Sequence, residues 1–275
     1  LGSLGFFIYG MKVMSEGIQK AAGQRLRQIL GAMTKNRFFG VLTGFFITSL
    51  VQSSSATTVM TVSFVNAGLL TLVQSAGVMM GANIGTTITA WIVSYFGFKF
   101  NIVAVSLPII AAGLPMMLLG RPKMRSWGEF LVGFALLFMG LDALKHSVPD
   151  LKDNPEILGF LTQFADGGLL TSILFVFIGA LVTIIVQSSS AAMALTLVMC
   201  HNGWIPFPVA AAMVLGENIG TTITAELASL VGNVHAKRSA RIHSMFNIIG
   251  VTWMVLLLPF ALDMISWFSE SIMGN

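Results

Sequence analysis

The sequence predicts an all-α membrane protein made of two inverted repeats, each holding a re-entrant helical hairpin and a broken transmembrane helix. Composition is the first reason. Of 275 residues, 55% are hydrophobic and 9% charged, with mean hydropathy +0.85. A soluble domain carries roughly 25% charged residues, so most of this surface faces lipid. Duplication is the second reason. Gln52-Ser53-Ser54-Ser55-Ala56 returns as Gln187-Ser188-Ser189-Ser190-Ala191, an offset of 135 residues. Gly81-Ala82-Asn83-Ile84-Gly85-Thr86-Thr87-Ile88-Thr89-Ala90 returns at the same offset of 135 as Gly216-Glu217-Asn218-Ile219-Gly220-Thr221-Thr222-Ile223-Thr224-Ala225, and only Ala82/Glu217 differs. Polar motifs locked at one offset in an apolar chain mark a duplicated fold with one shared site. The third reason is the distribution of charge, taken up after the elements.

Leu1 to about Gln19 reads as the first membrane helix. It opens in an apolar run, Leu4 to Val13, with no basic region before it, so no cleavable signal peptide is expected and the chain is expected to start partway into a helix. Residues 20–37 place Lys20, Arg25, Arg27, Lys35 and Arg37 among Leu26, Ile29, Leu30 and Met33. That is the pattern of a separate basic amphipathic helix on the membrane surface. Phe38 to Val51 and Ala56 to Val65 are apolar arms on either side of the first serine motif. Each is shorter than the about 20 residues a spanning helix needs, which favours a hairpin with its tip inside the membrane, covered by protein or water. Leu72 to Gly97 is long enough to span, but Gly81 to Gly85 is expected to break it near the midplane. Ile102 to Leu119 is a further span, kinked at Pro108 or Pro115.

The second half follows the same plan. Trp127 to Leu144 is a span, residues 145–168 a polar loop with Asp150, Asp153, Glu156 and Asp166, and Leu169 to Met199 the second hairpin around its serine motif. Pro206 to Gly232 is the second broken helix and His243 to Leu262 the last span. The repeats are therefore residues 1–125 and 126–275. Each half crosses three times, an odd number, which turns the second upside down. With residues 20–37 and 121–125 cytoplasmic, Lys20, Arg25, Arg27, Lys35, Arg37, Arg121, Lys123, Arg125, Lys237, Arg238 and Arg241 fall inside, and Lys99, Lys145 and Lys152 outside. Eleven against three is a strong positive-inside bias, and it puts both chain ends outside.

The chemistry lies in the repeated motifs. Serines at the start of a half-helix offer hydroxyls, free N–H groups and the positive helix end, which together make an anion site. Gln52, Ser53, Ser54, Ser55, Gln187, Ser188, Ser189 and Ser190 are its candidates. Almost no Lys or Arg lies at membrane depth, Lys12 being the one candidate, so a multiply charged anion would need cations beside it. Gln52, Asn83, Thr86, Thr87, Gln187, Asn218, Thr221 and Thr222 offer hard neutral oxygens suited to Na⁺. Glu217 either ligates Na⁺, carries a proton, or is hydrogen-bonded inside the helix bend. Helix packing by Ser, Thr and Gly is the plain alternative for any single copy of these motifs. Lys12 and Asp142, each two residues past a glycine, could pair or simply snorkel, and His243 and Asn247 share a face suited to a structural hydrogen bond. One cysteine, Cys200, excludes an intrachain disulfide. No nucleophile–base pair, nucleotide loop or His/Cys cluster points to an enzyme, a cofactor or a nucleic-acid partner. An inverted-repeat transporter coupling an anion to cations is the expected activity.

At these residues the sequence resembles the type II sodium/phosphate cotransporter family, in the style of a bacterial member. Both Gln-Ser-Ser-Ser copies and both Gly-x-Asn-Ile-Gly-Thr-Thr blocks are intact, and the likeness covers nearly the whole chain. The resemblance implies Na⁺-driven symport of inorganic phosphate across the inner (plasma) membrane. The serine motifs would hold phosphate and the nearby polar residues, Glu217 included, Na⁺. It also implies a possible PhoU-like domain or protein as partner. Two other readings stay open: a transporter of another oxyanion such as arsenate or sulfate, or a phosphate-sensing subunit acting through a PhoU-like partner.

Overall fold

The computed structural model describes residues 2–32, 36–99, 103–146 and 168–273, and every regular element among them is a helix. In chain order these are α1 (Gly2–Ala32), α2 (Arg37–Val51), α3 (Ser54–Asn66), α4 (Leu72–Ser94), α5 (Val103–Leu119), α6 (Pro122–His146), α7 (Gly168–Val186), α8 (Ser189–His201), α9 (Phe207–Gly220), α10 (Thr222–Ser229) and α11 (Val234–Phe268). Short π-helical turns extend α4 over Tyr95–Lys99 and α11 over Ser269–Met273. The acidic residues Asp150, Asp153, Glu156 and Asp166 lie outside the described residues, as do Lys35 and Lys152.

Among the described residues, four segments are long and apolar enough to cross a membrane: Leu72–Gly97, Pro122–His146, Gly168–Val186 and Val234–Ile272. Trp253, Leu256, Phe260 and Trp267 of α11 are exposed, as suits a lipid-facing helix. The third of these segments, expected as the first arm of the second hairpin, has 19 residues of mean hydropathy 2.8. Its stop at Gln187 is local backbone geometry, since length alone does not require one.

Two expectations fail. The basic stretch 20–37 was expected as a separate surface helix, but α1 runs unbroken from Gly2 to Ala32. Between Gln19 and Ala32 only Gly23 and Gly31 are weak helix formers, the second next to the helix end, and Lys20 is fixed to α6 by an ion pair of 2.8 Å with Glu129. Gly81 to Gly85 was expected to break the fourth helix, but α4 is continuous from Leu72 to Ser94. Its glycines serve close approach instead. A Cβ at Gly81 would strike the Val41 carbonyl oxygen, and one at Gly44 the Val78 carbonyl oxygen. The second half repeats the seam, with Gly216 against Val176 and Gly179 against Met213. Small residues that let two backbones touch are a standard means of joining membrane helices. The expected second break is reduced to one residue, Thr221, whose N–H still bonds the Glu217 carbonyl at 3.0 Å.

α1 and α6 cross in the same manner, and reciprocally: Gly10 lies against Leu137, and Gly140 against Phe7. Both glycines sit three residues after their partner's counterpart, so one contact is the other rotated by half a turn. Around this crossing Phe7, Met11, Met14, Leu137, Phe138 and Leu141 form the largest apolar cluster, joined by Ala191, Ala194 and Val198 of α8.

Packing at Gly81 has a direct test. Gly81→Ala should lower the apparent melting temperature of the purified protein by roughly 5 °C, as overpacking does. Gly250→Ala, at a site with nothing within 4 Å, should not lower it. Equal shifts would return Gly81 to the role of a hinge.

Candidate functional site

The site is built from two identical local structures. α2 ends when Gln52 turns left-handed at φ 57° and ψ 29°, its N–H still bonded to the Thr48 carbonyl at 2.7 Å. Ser53 then caps α3, its hydroxyl accepting from the Ala56 N–H at 3.2 Å. Gln187 adopts the same φ of 57°, and Ser188 caps α8 by accepting from the Ala191 N–H at 3.2 Å. These two glutamines are the only non-glycine residues with positive φ among the described residues, a conformation costing about 1–2 kcal/mol. Each turn ends one helix and starts the next within two residues and leaves the first N–H groups of the following helix without intrahelical acceptors.

The two tips meet. Ser54 Oγ and Ser189 Oγ are 3.3 Å apart, and both residues are buried. Two reciprocal contacts flank this pair: Thr89 Oγ1 to Ser190 Oγ at 3.5 Å, and Thr224 Oγ1 to Ser55 Oγ at 3.4 Å. Thr89 also donates to Gln52 Oε1 at 2.9 Å. Beside the tips lies a cavity of about 390 Å³, lined by both Gln-Ser-Ser-Ser motifs and by α1. It presents hydroxyls and two helix N-termini, a donor set suited to a small oxyanion.

All eight candidate anion residues therefore line one cavity. The candidate cation ligands beyond the two glutamines do not. Asn83 faces α11, donating to Asn247 Oδ1 at 2.7 Å and lying 3.3 Å from His243 Nε2; the shared face of His243 and Asn247 is thus engaged in hydrogen bonds. Thr86 donates to the Ala82 carbonyl, Thr87 to that of Ile84, Thr222 to that of Ile219, and Asn218 to that of Val214. Glu217 is 1% exposed and accepts from Thr196 Oγ1 at 2.7 Å. Its second oxygen, the Thr221 hydroxyl and the Thr183 hydroxyl are buried without a hydrogen-bond partner. Lys12 and Asp142 each pair along their own helix, with Glu16 at 3.9 Å and His146 at 3.6 Å.

Two groups of site residues escaped the sequence reading. Thr89 and Thr224 occupy the same place in both copies of the ten-residue repeat, so duplication itself was their signal. Ser15, Glu16 and Gln19 join Lys12 in lining the cavity. Their spacing puts all four on one face of α1, a polar stripe beside the buried Met11, Met14 and Ile18. Ser15 Oγ donates to the Val51 carbonyl at 3.0 Å and receives Gln19 Nε2 at 2.9 Å, tying α1 to the first tip.

Comparison with known proteins agrees with this geometry. Residues 6–146 and 161–272 match the family described as Na⁺/Pi-cotransporter. YqeW of Bacillus subtilis (strain 168) is 31% identical over 258 residues, 93% of this chain and 79% of that protein. The putative inorganic phosphate export protein YjbB of Escherichia coli (strain K12) is 29% identical over 262 residues, 94% of this chain but 46% of that protein. The human sodium-dependent phosphate transport protein 2B is 38% identical over 96 residues, 34% of this chain and 14% of that one. No solved structure matches. The apolar helices make this a multi-pass membrane protein, the paired serine tips are its distinguishing feature, and with a match across nearly its whole length the chain belongs to the Na⁺/Pi-cotransporter family.

Proposed function

We propose that this chain carries inorganic phosphate together with Na⁺ across the plasma membrane, as a symporter working by alternating access at the cavity between the serine tips. The observation that carries the proposal is the 3.3 Å approach of Ser54 and Ser189. It brings two helix N-termini and their hydroxyls to one point, which favours an anion there. Phosphate is bound by Gln52, Ser53, Ser54, Ser55, Gln187, Ser188, Ser189 and Ser190. Family membership supports the choice of phosphate.

Na⁺ is held by oxygens of Gln52, Asn83, Thr86, Thr87, Gln187, Glu217, Asn218, Thr221 and Thr222. Within this set the best support lies at Glu217 and Thr221, whose buried oxygens lack hydrogen-bond partners. A carboxylate buried with one donor is costly to leave alone, and a cation with hard oxygen ligands would complete it. The tips are re-entrant, and residues 1–125 and 126–275 are inverted repeats. The reciprocal contacts Gly10–Leu137 and Gly140–Phe7, and Thr89–Ser190 and Thr224–Ser55, support that two-fold relation. Residues 20–37 and 121–125 face the cytoplasm, a reading that the bias of basic residues supports. The name of YjbB favours a second reading, net phosphate export. The same site serves either direction, since the gradients set the flux.

Radiolabelled phosphate uptake into proteoliposomes, under an inward Na⁺ gradient or an equal K⁺ gradient, tests the proposal. Accumulation should require Na⁺ and be competed by arsenate and not by sulfate. Equal fluxes with both cations, or competition by sulfate, would contradict it. Ser54→Ala and Ser189→Ala, at normal expression, should each lower this uptake at least about tenfold, the scale of losing a hydrogen bond to a charged group. Near-normal transport in both would remove the tips from the site. Glu217→Gln should shift the Na⁺ activation curve, and an unchanged curve would make Glu217 structural.

A further inference from the structure

The polar stripe of α1 is not explained by packing. Lys12 and Glu16 line the cavity beside the serine tips, with side chains 69% and 46% exposed, while Met11 and Met14 next to them are 4% and 5% exposed. Among the described residues lining that cavity, Lys12 is the only cation. Its ammonium stands 3.9 Å from Glu16 Oε1, a loose contact. Glu16 Oε2 has a second cation, Lys20, at 3.8 Å, and Lys20 in turn holds Glu129 at 2.8 Å. A ladder of alternating charge thus runs along α1 away from the cavity.

From this geometry we infer that Lys12 is the anion-capture residue of the cavity, held in reserve by Glu16 and released to an incoming phosphate. The inference rests on the transport reading above. Lys12 has a flexible four-carbon stem and three donors, so its head can swing from Glu16 toward the tips, one helical turn from where Ser15 binds the Val51 carbonyl. Glu16 keeps Lys20 at 3.8 Å when Lys12 leaves, shared with Glu129 at 2.8 Å, so release leaves Glu16 only partly compensated and Glu16 draws Lys12 back once the anion departs. Glu16 competes with the anion for Lys12, and this sets the sign of each substitution. Removing the lysine weakens capture, and removing the glutamate strengthens it. An ion pair that merely supported the helix would shift both variants the same way, through stability.

Equilibrium binding of radiolabelled inorganic phosphate to the purified full chain, at fixed Na⁺, reads this directly. Lys12→Gln should weaken phosphate binding about tenfold, Glu16→Gln should tighten it about threefold, and Lys12→Arg should stay within about threefold of the parent, in line with close charge pairs at binding sites. Melting temperatures of the variants, measured alongside, separate misfolding from altered binding, with Lys12→Arg as the folded control. Weaker binding in both Lys12→Gln and Glu16→Gln, or no change in either, overturns the assignment of Lys12. A parent protein that binds no phosphate in Na⁺ overturns the transport reading together with it.

Discussion

A helix that stops inside an apolar layer leaves carbonyls behind it and N–H groups ahead of it, with no water to meet them. This chain stops a helix beside an apolar arm twice, at Gln52 and Gln187, which under the proposed function lie within the membrane, and the rest of the structure is arranged to satisfy those ends. Each glutamine takes a left-handed conformation, which lets its own N–H close the preceding helix. Each following serine caps the next helix. Ser15 of α1 meets the Val51 carbonyl, Thr89 and Thr224 reach the serines of the opposite tip, and Ser54 and Ser189 meet each other. The glycine seams between α2 and α4, and between α7 and α9, hold the arms tightly enough to keep the tips in register. Donors that satisfy one another across a cavity can exchange those contacts for an oxyanion at little net cost.

The sequence made the tips legible because duplication separates purpose from packing. One serine triplet is ordinary in a membrane helix; two at one offset are not. The helix stops at Gln52 and Gln187 follow from the same reasoning. Glycines misled it, because Gly-x-Asn-Ile-Gly suits either a broken helix or a close seam, and only the facing backbone decides. Val41 and Val176 decide for the seam. The separate surface helix failed for a related reason. Basic charge marks depth in the membrane, but it does not end a helix built from good helix formers. Thr89, Thr224 and the stripe from Lys12 to Gln19 were readable by repeat position and helical spacing. What no pattern revealed was that Asn83 turns toward His243 and Asn247, a contact between residues 160 and 164 positions apart.

The two halves share a plan but not their polar satisfaction. Gln52 is buried and accepts from Thr89, whereas Gln187 is exposed. Thr48 donates to Thr57 at 2.9 Å, but Ala192 stands at the matching place in the second half and leaves the Thr183 hydroxyl without a partner. Glu217 stands where the first half has Ala82. Three of the buried unpartnered oxygens, on Thr183, Glu217 and Thr221, belong to the second half, and one, Ser49 Oγ, to the first. Under the proposed mechanism this division suits a device in which the tips share the anion and one half holds more of the cation chemistry. The α1 stripe, outside both repeated motifs, adds the cation that neither serine motif supplies.

The meeting of the tips can be tested by a covalent bond. Ser54→Cys and Ser189→Cys, combined in a Cys200→Ser background, place two thiols where hydroxyls now stand 3.3 Å apart, close to the geometry a disulfide requires. Mild oxidation of the membrane-embedded protein should form an intramolecular disulfide, read as a mobility shift that reduction reverses. A folded, correctly inserted double variant whose thiols stay unlinked would contradict the meeting of the tips on which a shared site depends.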